Sequence, residues 1–243
     1  MTPKEQILRV WGEFACFSRP ETKVERFSYP LITPSAARGV FDAIYVKPGQ
    51  FRWQITRIQL LKPPRYLALK RNEVKEKVNL NAVKKWMAGK APPQPILADA
   101  DRDATGADTK GRTQRQTMAL KDVAYLLHAE IRPWPGFEDR QQAFEAQFRR
   151  RAAGGKCFYQ PYLGCREFPA YFELMEVGAP LPEAEPLEMD LGLMLYDVFD
   201  LSRPGSSSDA PAISLFHARL HGGVLQVPEY HSPRVFKGLG EGV

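Results

Sequence analysis

The sequence predicts an α+β fold: an antiparallel sheet with two helices, interrupted by an inserted basic arm and followed by a small C-terminal β extension. Three observations carry this. Apolar residues alternate with period two in four separated segments, two amphipathic stripes of period 3.6 fall between them, and a long stretch at the midpoint has no core pattern.

Ile7 to Phe17 alternates, with Leu8, Val10, Gly12, Phe14 and Cys16 on one face, as a strand with one buried side does. Thr33-Pro34 then supplies an N-cap residue followed by proline at the first helical position. Ala37, Val40, Phe41 and Ile44 recur at helical spacing, and Lys47-Pro48-Gly49 stops the helix with Tyr45 at its last turn. Phe51, Trp53 and Ile55 alternate in a second strand to about Leu61, and the apolar face changes near Arg57 and Ile58, which predicts a bulge.

Residues 62–120 read as the insertion. Within it, 92–112 combines turn formers with scattered charge and reads as a mobile tip. Regular alternation resumes at Val123, where Val123, Tyr125, Leu127, Ala129 and Ile131 share one face and His128, Glu130 and Arg132 take the other, polar one. Phe137, Gln141, Phe144 and Phe148 mark the second helix, stopped by Ala152-Ala153-Gly154-Gly155. Phe168, Ala170, Phe172 and Leu174 mark a fourth strand.

The order β-α-β, insertion, β-α-β is that of two split units, the ferredoxin-like (RRM-like) plan with both helices on one face of the sheet. The reading gives 1–177 as this domain and 178–243 as the small β extension. The extension begins with a proline- and acid-rich linker and contains strands at Leu191 to Phe199, Ile213 to Leu220 and Val224 to Val227.

Composition is that of an ordinary globular protein, with 44% hydrophobic and 26% charged residues over 243 positions. The net charge is +6, and Lys62 to Lys90 alone holds nine Lys or Arg against Glu73 and Glu76, so the rest of the chain is close to neutral. A local basic patch attracts phosphates, anionic lipid or an acidic protein. No apolar run reaches spanning length and the N-terminus lacks a signal-peptide pattern, which reads as a cytoplasmic protein with no membrane partner. Cys16, Cys157 and Cys165 are odd in number and lack C-x-x-C spacing, so they read as structural thiols.

Several residues carry candidate chemistry. Arg149 and Arg150, with Arg151, end the second helix beside Gly154, Gly155 and Lys156. Such a loop offers cations and unpaired backbone N–H groups to a polyphosphate. Lys70 and Arg71 sit in the arm near Tyr66 and Trp86, and cations beside aromatics suit single-stranded RNA. His217 and His221 lack further ligands nearby in sequence and read as surface histidines.

Several strings in this chain, in order, resemble the CRISPR-associated Cas-five family of type I-C (subtype d). They are Val10-Trp11-Gly12-Glu13-Phe14-Ala15-Cys16-Phe17, Lys23-Val24-Glu25-Arg26, Pro34-Ser35-Ala36-Ala37-Arg38-Gly39, Ala43-Ile44-Tyr45-Val46-Lys47-Pro48, Lys70-Arg71-Asn72-Glu73-Val74, Leu120-Lys121-Asp122-Val123 and Leu163-Gly164-Cys165-Arg166-Glu167-Phe168. The resemblance implies a ferredoxin-like domain with a β extension that cuts precursor CRISPR RNA without metal or cofactor, using the RNA's own 2′-hydroxyl. It implies retention of the 5′ handle within the complex called Cascade, with the other Cascade subunits and duplex DNA as further partners. In the family a tyrosine after the first helix and a Lys-His pair at the start of the second share the chemistry. The tyrosine falls on Tyr45. Neither lysine nor histidine occurs between Ile131 and Arg149, so Arg140 is the nearest cation to the position of the pair, and His128 is the one histidine within the core plan. Lys70, Arg71, Lys121, Arg149, Arg150, Gly154, Gly155, Lys156 and Arg166 are the residues expected to hold RNA.

Overall fold

In the computed structural model the described residues are 3–22, 25–96, 111–176, 178–205 and 210–238. They form an α+β structure built mostly of antiparallel sheet. The strands are β1 (Gln6–Ala15), β2 (Arg26–Phe27), β3 (Phe51–Leu60), β4 (Tyr66–Val74), β5 (Arg112–Pro133), β6 (Tyr171–Leu174), β7 (Met189–Asp197), β8 (Ser214–His221), β9 (Val224–Gln226) and β10 (Val235–Phe236). The helices are α1 (Pro34–Ile44), α2 (Leu80–Met87) and α3 (Gln141–Ala153), the last preceded by a 3₁₀ turn at Glu138–Arg140. No helix among the described residues is long and apolar enough to cross a membrane.

The main path of the sheet runs β10-β8-β9-β3-β5-β1-β6. At its centre β5 lies between β1 and β3, antiparallel to both. The apolar face of β3 changes through a bulge between Ile55 and Arg57. This keeps Trp53 and Ile55 on one side of the bulge and Ile58 and Leu60 on the other buried together.

Helices α1 and α3 cover this face through one aromatic cluster. Phe41 of α1 stands 4.8 Å from Trp53 and 5.6 Å from Phe148 of α3, Trp53 and Phe148 are 4.6 Å apart, and Phe144 packs on Phe51 at 5.0 Å. All five rings are buried, and each such side chain removes 150–250 Å² from water, so this contact dominates the docking of both helices. Thr33 caps α1 as the sequence predicts, its hydroxyl oxygen accepting the Ala36 N–H at 3.2 Å.

A second tie is polar. Arg38 of α1 donates to both carboxylate oxygens of Asp197 on β7, at 2.7 and 3.0 Å, and also to Asp42 one turn on at 2.5 Å. Asp197 in turn accepts the N–H groups of Val198 and Phe199, so its buried charge is fully engaged.

The strings at the end of β1 and before β6 pack on each other. Cys16 N–H donates to the Leu163 carbonyl at 3.0 Å, and Cβ atoms added to Gly12 and Gly164 would lie 2.5 Å from Leu163 and 2.1 Å from the Cys16 carbonyl oxygen. Gly164 also has φ +83°, open only to glycine without strain. Phe168 closes this turn by donating to the Cys165 carbonyl, so β6 begins at Tyr171 and is shorter than the alternation suggested. Cys16, Cys157 and Cys165 are all free thiols.

Two sequence expectations meet a different outcome. The C-terminal strands do not stand apart: β9 pairs with β3 and β8 pairs with β9, so 178–238 extends the core sheet. The chain divides instead into Met1–Leu67 with Met118–Val243, and Ala68–Thr117. Neither β4 nor α2 has a buried residue, and within the smaller unit the Lys75 N–H donates to the Gly111 carbonyl. The expected mobile tip lies, for residues 97–110, outside the described residues. His128 is fully buried rather than on a solvated face, because strand β5 is covered on both sides; its Nδ1 lies 3.0 Å from Arg57 and 3.2 Å from Glu5. Burial holds its imidazole below the ordinary range, with the Glu5 carboxylate opposing and Arg57 reinforcing the shift.

Phe148→Ala should lower the unfolding free energy by about 3–5 kcal/mol, read as a lower urea midpoint at unchanged slope. Gly164→Ala should be at least as damaging, since its methyl would collide with backbone rather than with a mobile side chain.

Candidate active site

Two helix ends meet at one cleft. Tyr45 follows the last residue of α1 in extended conformation (φ −156°, ψ 119°), so it and Lys47 project to the same side. The Trp53 indole donates to the Tyr45 carbonyl at 2.8 Å and the Phe51 ring packs on the tyrosine at 5.4 Å, which fixes the residue from below. Arg140 belongs to the turn that opens α3. The cleft, about 370 Å³ in volume, is lined by Tyr45, Lys47, Arg140, Phe144, Arg151 and Phe158, with Ala143 and Gln147.

Its chemistry is cationic and aromatic. Lys47 Nζ lies 5.9 Å and the Arg140 guanidinium 5.5 Å from the centre of the Phe144 ring, so two cations share one aromatic ring. Arg151 stacks on Phe158 at 4.1 Å and donates to the Ile44 carbonyl at 2.6 Å, while Phe158 N–H donates to the Ala43 carbonyl at 2.7 Å. These two bonds satisfy carbonyls that the end of α1 would otherwise leave unpaired, and they hold the wall of the cleft against the tyrosine. Tyr45 is 4% exposed, so only a small part of it faces the cleft that it lines. Burial pushes its phenol above the ordinary range, opposed by the Arg140 and Arg151 charges, so it is protonated at neutral pH.

The cleft thus joins Tyr45 and Arg140 and adds Lys47, Arg151 and Phe158. Lys47 stood in the same string as Tyr45, read only as part of the segment that stops the helix. Phe158 gave no signal beyond being aromatic. His128 does not line the cleft.

The other basic residues stand elsewhere. Arg149 donates to Gln6 of β1 and faces Glu176, and Arg150 donates to Gln147. The N–H groups of the glycine loop are not open to phosphate. Gly155 donates to the Ala152 carbonyl at 3.0 Å and Lys156 to the Arg151 carbonyl at 2.9 Å. The physical reason is polarity: Gly154 and Gly155 follow the C-terminal end of α3, where the chain must satisfy carbonyls and the dipole favours cations, not anions. Lys156 and Arg166 are exposed, as is Lys121, whose neighbour Asp122 pairs with Lys62 and Arg65. Lys70 is exposed on β4 in the smaller unit, where Arg71 pairs with Glu73 at 2.8 Å. His221 pairs with Glu188 at 3.0 Å, and no cluster of His, Cys, Asp and Glu among the described residues could hold a metal ion.

Comparison with known proteins covers nearly the whole chain. The family described as CRISPR-associated protein (Cas_Cas5), in its Cas5d form, matches residues 7–228. The chain is 38% identical over 234 residues to the CRISPR pre-crRNA endoribonuclease Cas5d of Mannheimia succiniciproducens, covering 94% of this chain and 96% of that protein. It is 41% identical over 233 residues to the protein of the same name from Thermus thermophilus, covering 91% and 90%. Two solved structures share the fold at 18% identity. One is a CRISPR-associated protein (TM-score 0.63, 97% of this chain and 98% of that one), the other the functionally uncharacterized protein SMU1763c of Streptococcus mutans (TM-score 0.61, 96% and 97%).

Because the Arg140 charge favours the phenolate, Arg140→Gln should move the Tyr45 titration still higher. NMR of ring-labelled tyrosine reads this directly; an unmoved or lowered value would separate the two groups.

Proposed function

The chain belongs to the Cas5d family of CRISPR-associated proteins, and on that premise we propose that it binds repeat-derived CRISPR RNA and cuts the precursor in the Tyr45–Arg140 cleft. The observation that carries this reading is the meeting of Tyr45 and Lys47, just after α1, with Arg140 at the start of α3 and Arg151 in its last turn, in a cleft with aromatic walls.

In the proposed step the 2′-oxygen of one nucleotide attacks the adjacent phosphorus as its proton leaves. The bond from phosphorus to the 5′-oxygen breaks, that oxygen takes up a proton, and a 2′,3′-cyclic phosphate remains. Lys47 and Arg140 face the charge that gathers on the non-bridging oxygens, where fixed cations lower the barrier most. Arg151, held by the Ile44 carbonyl, adds to the same field. The protonated Tyr45 phenol orients the reacting oxygens rather than acting as a strong base. Lys47 suits proton delivery to the leaving oxygen better than arginine, whose guanidinium keeps its protons. Among the described residues the lining holds no histidine or carboxylate to accept the nucleophile's proton, so that proton passes to water and turnover is slow.

The remaining parts of the reading follow from this one. The segment β6-β1-β5-β3 with α1 and α3 has the strand order and connections of the ferredoxin-like plan, which supports assigning that fold. Side chains of Lys70, Arg71, Lys121, Arg149, Arg150, Lys156 and Arg166 contribute phosphate contacts, while Gly154 and Gly155 serve to turn the chain. The retained 5′ handle and the other Cascade subunits are the partners, in the cytoplasm. The absence of Lys and His from the first turns of α3 favours a second reading, a subunit that holds the handle without cutting it.

The test is the purified chain with its host's repeat RNA in EDTA. Cleavage should persist, leave a 2′,3′-cyclic phosphate and stop when the nucleotide before the cut is 2′-deoxy. Tyr45→Phe and Lys47→Ala should slow it by about 10²-fold or more, with handle affinity nearly unchanged. Fast cleavage that requires magnesium would overturn the mechanism. Tight binding with no cleavage under any condition would establish the second reading.

Affinity should fall linearly in log K against log salt, and neutralising Lys156 and Arg166 together should flatten that slope by about 1–2. An affinity indifferent to salt would remove these residues from the interface.

A further inference from the structure

A second cavity lies along α1. It measures about 360 Å³, within the usual range for small-ligand sites, and its walls include Ser35, Gly39, Asp42, Tyr159, Tyr162 and Phe199. We propose that this cavity takes one unstacked nucleobase of the bound RNA, a base carrying an exocyclic amino group, beside the nucleotide whose phosphate lies in the Tyr45 cleft. The proposal rests on the RNA-binding reading and adds to it a site for base recognition.

Gly39 is the first support. It sits inside α1, where glycine is less favourable than any ordinary residue except proline, and its φ is not left-handed. A Cβ built there meets nothing within 4 Å. Neither packing nor backbone geometry requires glycine, so what its missing side chain provides is room in the wall of the cavity.

The aromatic walls are the second. Tyr159 is 49% and Phe199 48% exposed, two large rings left half open at one cavity. Base stacking on such rings is the common way to hold single-stranded nucleic acid. The third is charge. Arg38 at this cavity is paired with both Asp197 and Asp42, so the Asp42 carboxylate at the wall has acceptor capacity for an amino group on a base edge.

Continuity with the cleft is the fourth. Phe158 and Tyr159 are consecutive; the first lines the Tyr45 cleft and the second lines this cavity. The Phe158 N–H bond to the Ala43 carbonyl pins that pair of residues to α1 between the two sites. A strand with its phosphate among Lys47 and Arg140 therefore has a neighbouring base within reach of Tyr159.

The test measures affinity of the full chain for repeat RNA and for a set of the same RNA with single abasic substitutions near the cut. For the wild type, one abasic position should weaken binding about ten-fold or more. Gly39→Leu, which fills the cavity, and Tyr159→Ala should each weaken binding of intact RNA by a similar factor and become insensitive to that abasic position. Gly39→Leu should not lower the melting temperature, since leucine is the better helix former. Should that variant fail to fold, Tyr159→Ala at a half-exposed position decides alone. Variants that bind intact RNA as the wild type does would overturn the base pocket while leaving RNA binding intact. A wild type that binds no repeat RNA would overturn the RNA reading, and the pocket with it.

Discussion

The packing of Phe41, Trp53 and Phe148, continued by Phe51 and Phe144, is the constraint on which the site depends. Trp53 serves twice: its ring packs on both helices, and its indole N–H holds the Tyr45 carbonyl. A shift of either helix on the sheet would move Tyr45 and Arg140 relative to one another, and dense aromatic packing resists small shifts because the rings have discrete arrangements. Core and cleft are therefore one object: Phe144 packs on Phe51 and carries Lys47 and Arg140 over its ring.

Polar ties complete what the rings begin. The Arg38–Asp197 pair fastens α1 to β7 and explains why the C-terminal strands belong to the core. A buried guanidinium needs carboxylate partners, and Asp197 of β7 offers it both oxygens. The same guanidinium reaches Asp42; burial pushes that carboxyl up to about 6, Arg38 opposing and the Asp197 charge reinforcing the shift. Arg38 and Asp42 also line the aromatic cavity, so one structural tie contributes to the local field there.

The basic residues divide by function in a way that net charge conceals. Arg151 spends its guanidinium on a helix carbonyl and on Phe158, whereas Arg150 one residue earlier is exposed on Gln147. Adjacent residues on a helix point about 100° apart, so one of a run of three arginines enters the cleft and its neighbours do not. A charge run in a sequence names a region, and the helix decides which of its members meet.

The sequence by itself determined the elements of the core but not β4 or α2 within 62–120, nor the start of β5 at Arg112. Alternation located β1 and β3, Thr33-Pro34 located the start of α1, the break in alternation near Arg57 located the bulge, and the shared strings located Tyr45, because each is a local pattern of burial or capping. Tertiary structure decided the rest. It placed Lys47, Arg151 and Phe158 with Tyr45 and Arg140, buried His128, joined the C-terminal strands to β3, and turned the glycine loop from a phosphate cradle into a helix cap. Each of these depends on which groups from distant segments fill the same space or satisfy the same hydrogen bond. Periodicity reports which face of a segment is buried and carries no information about what buries it.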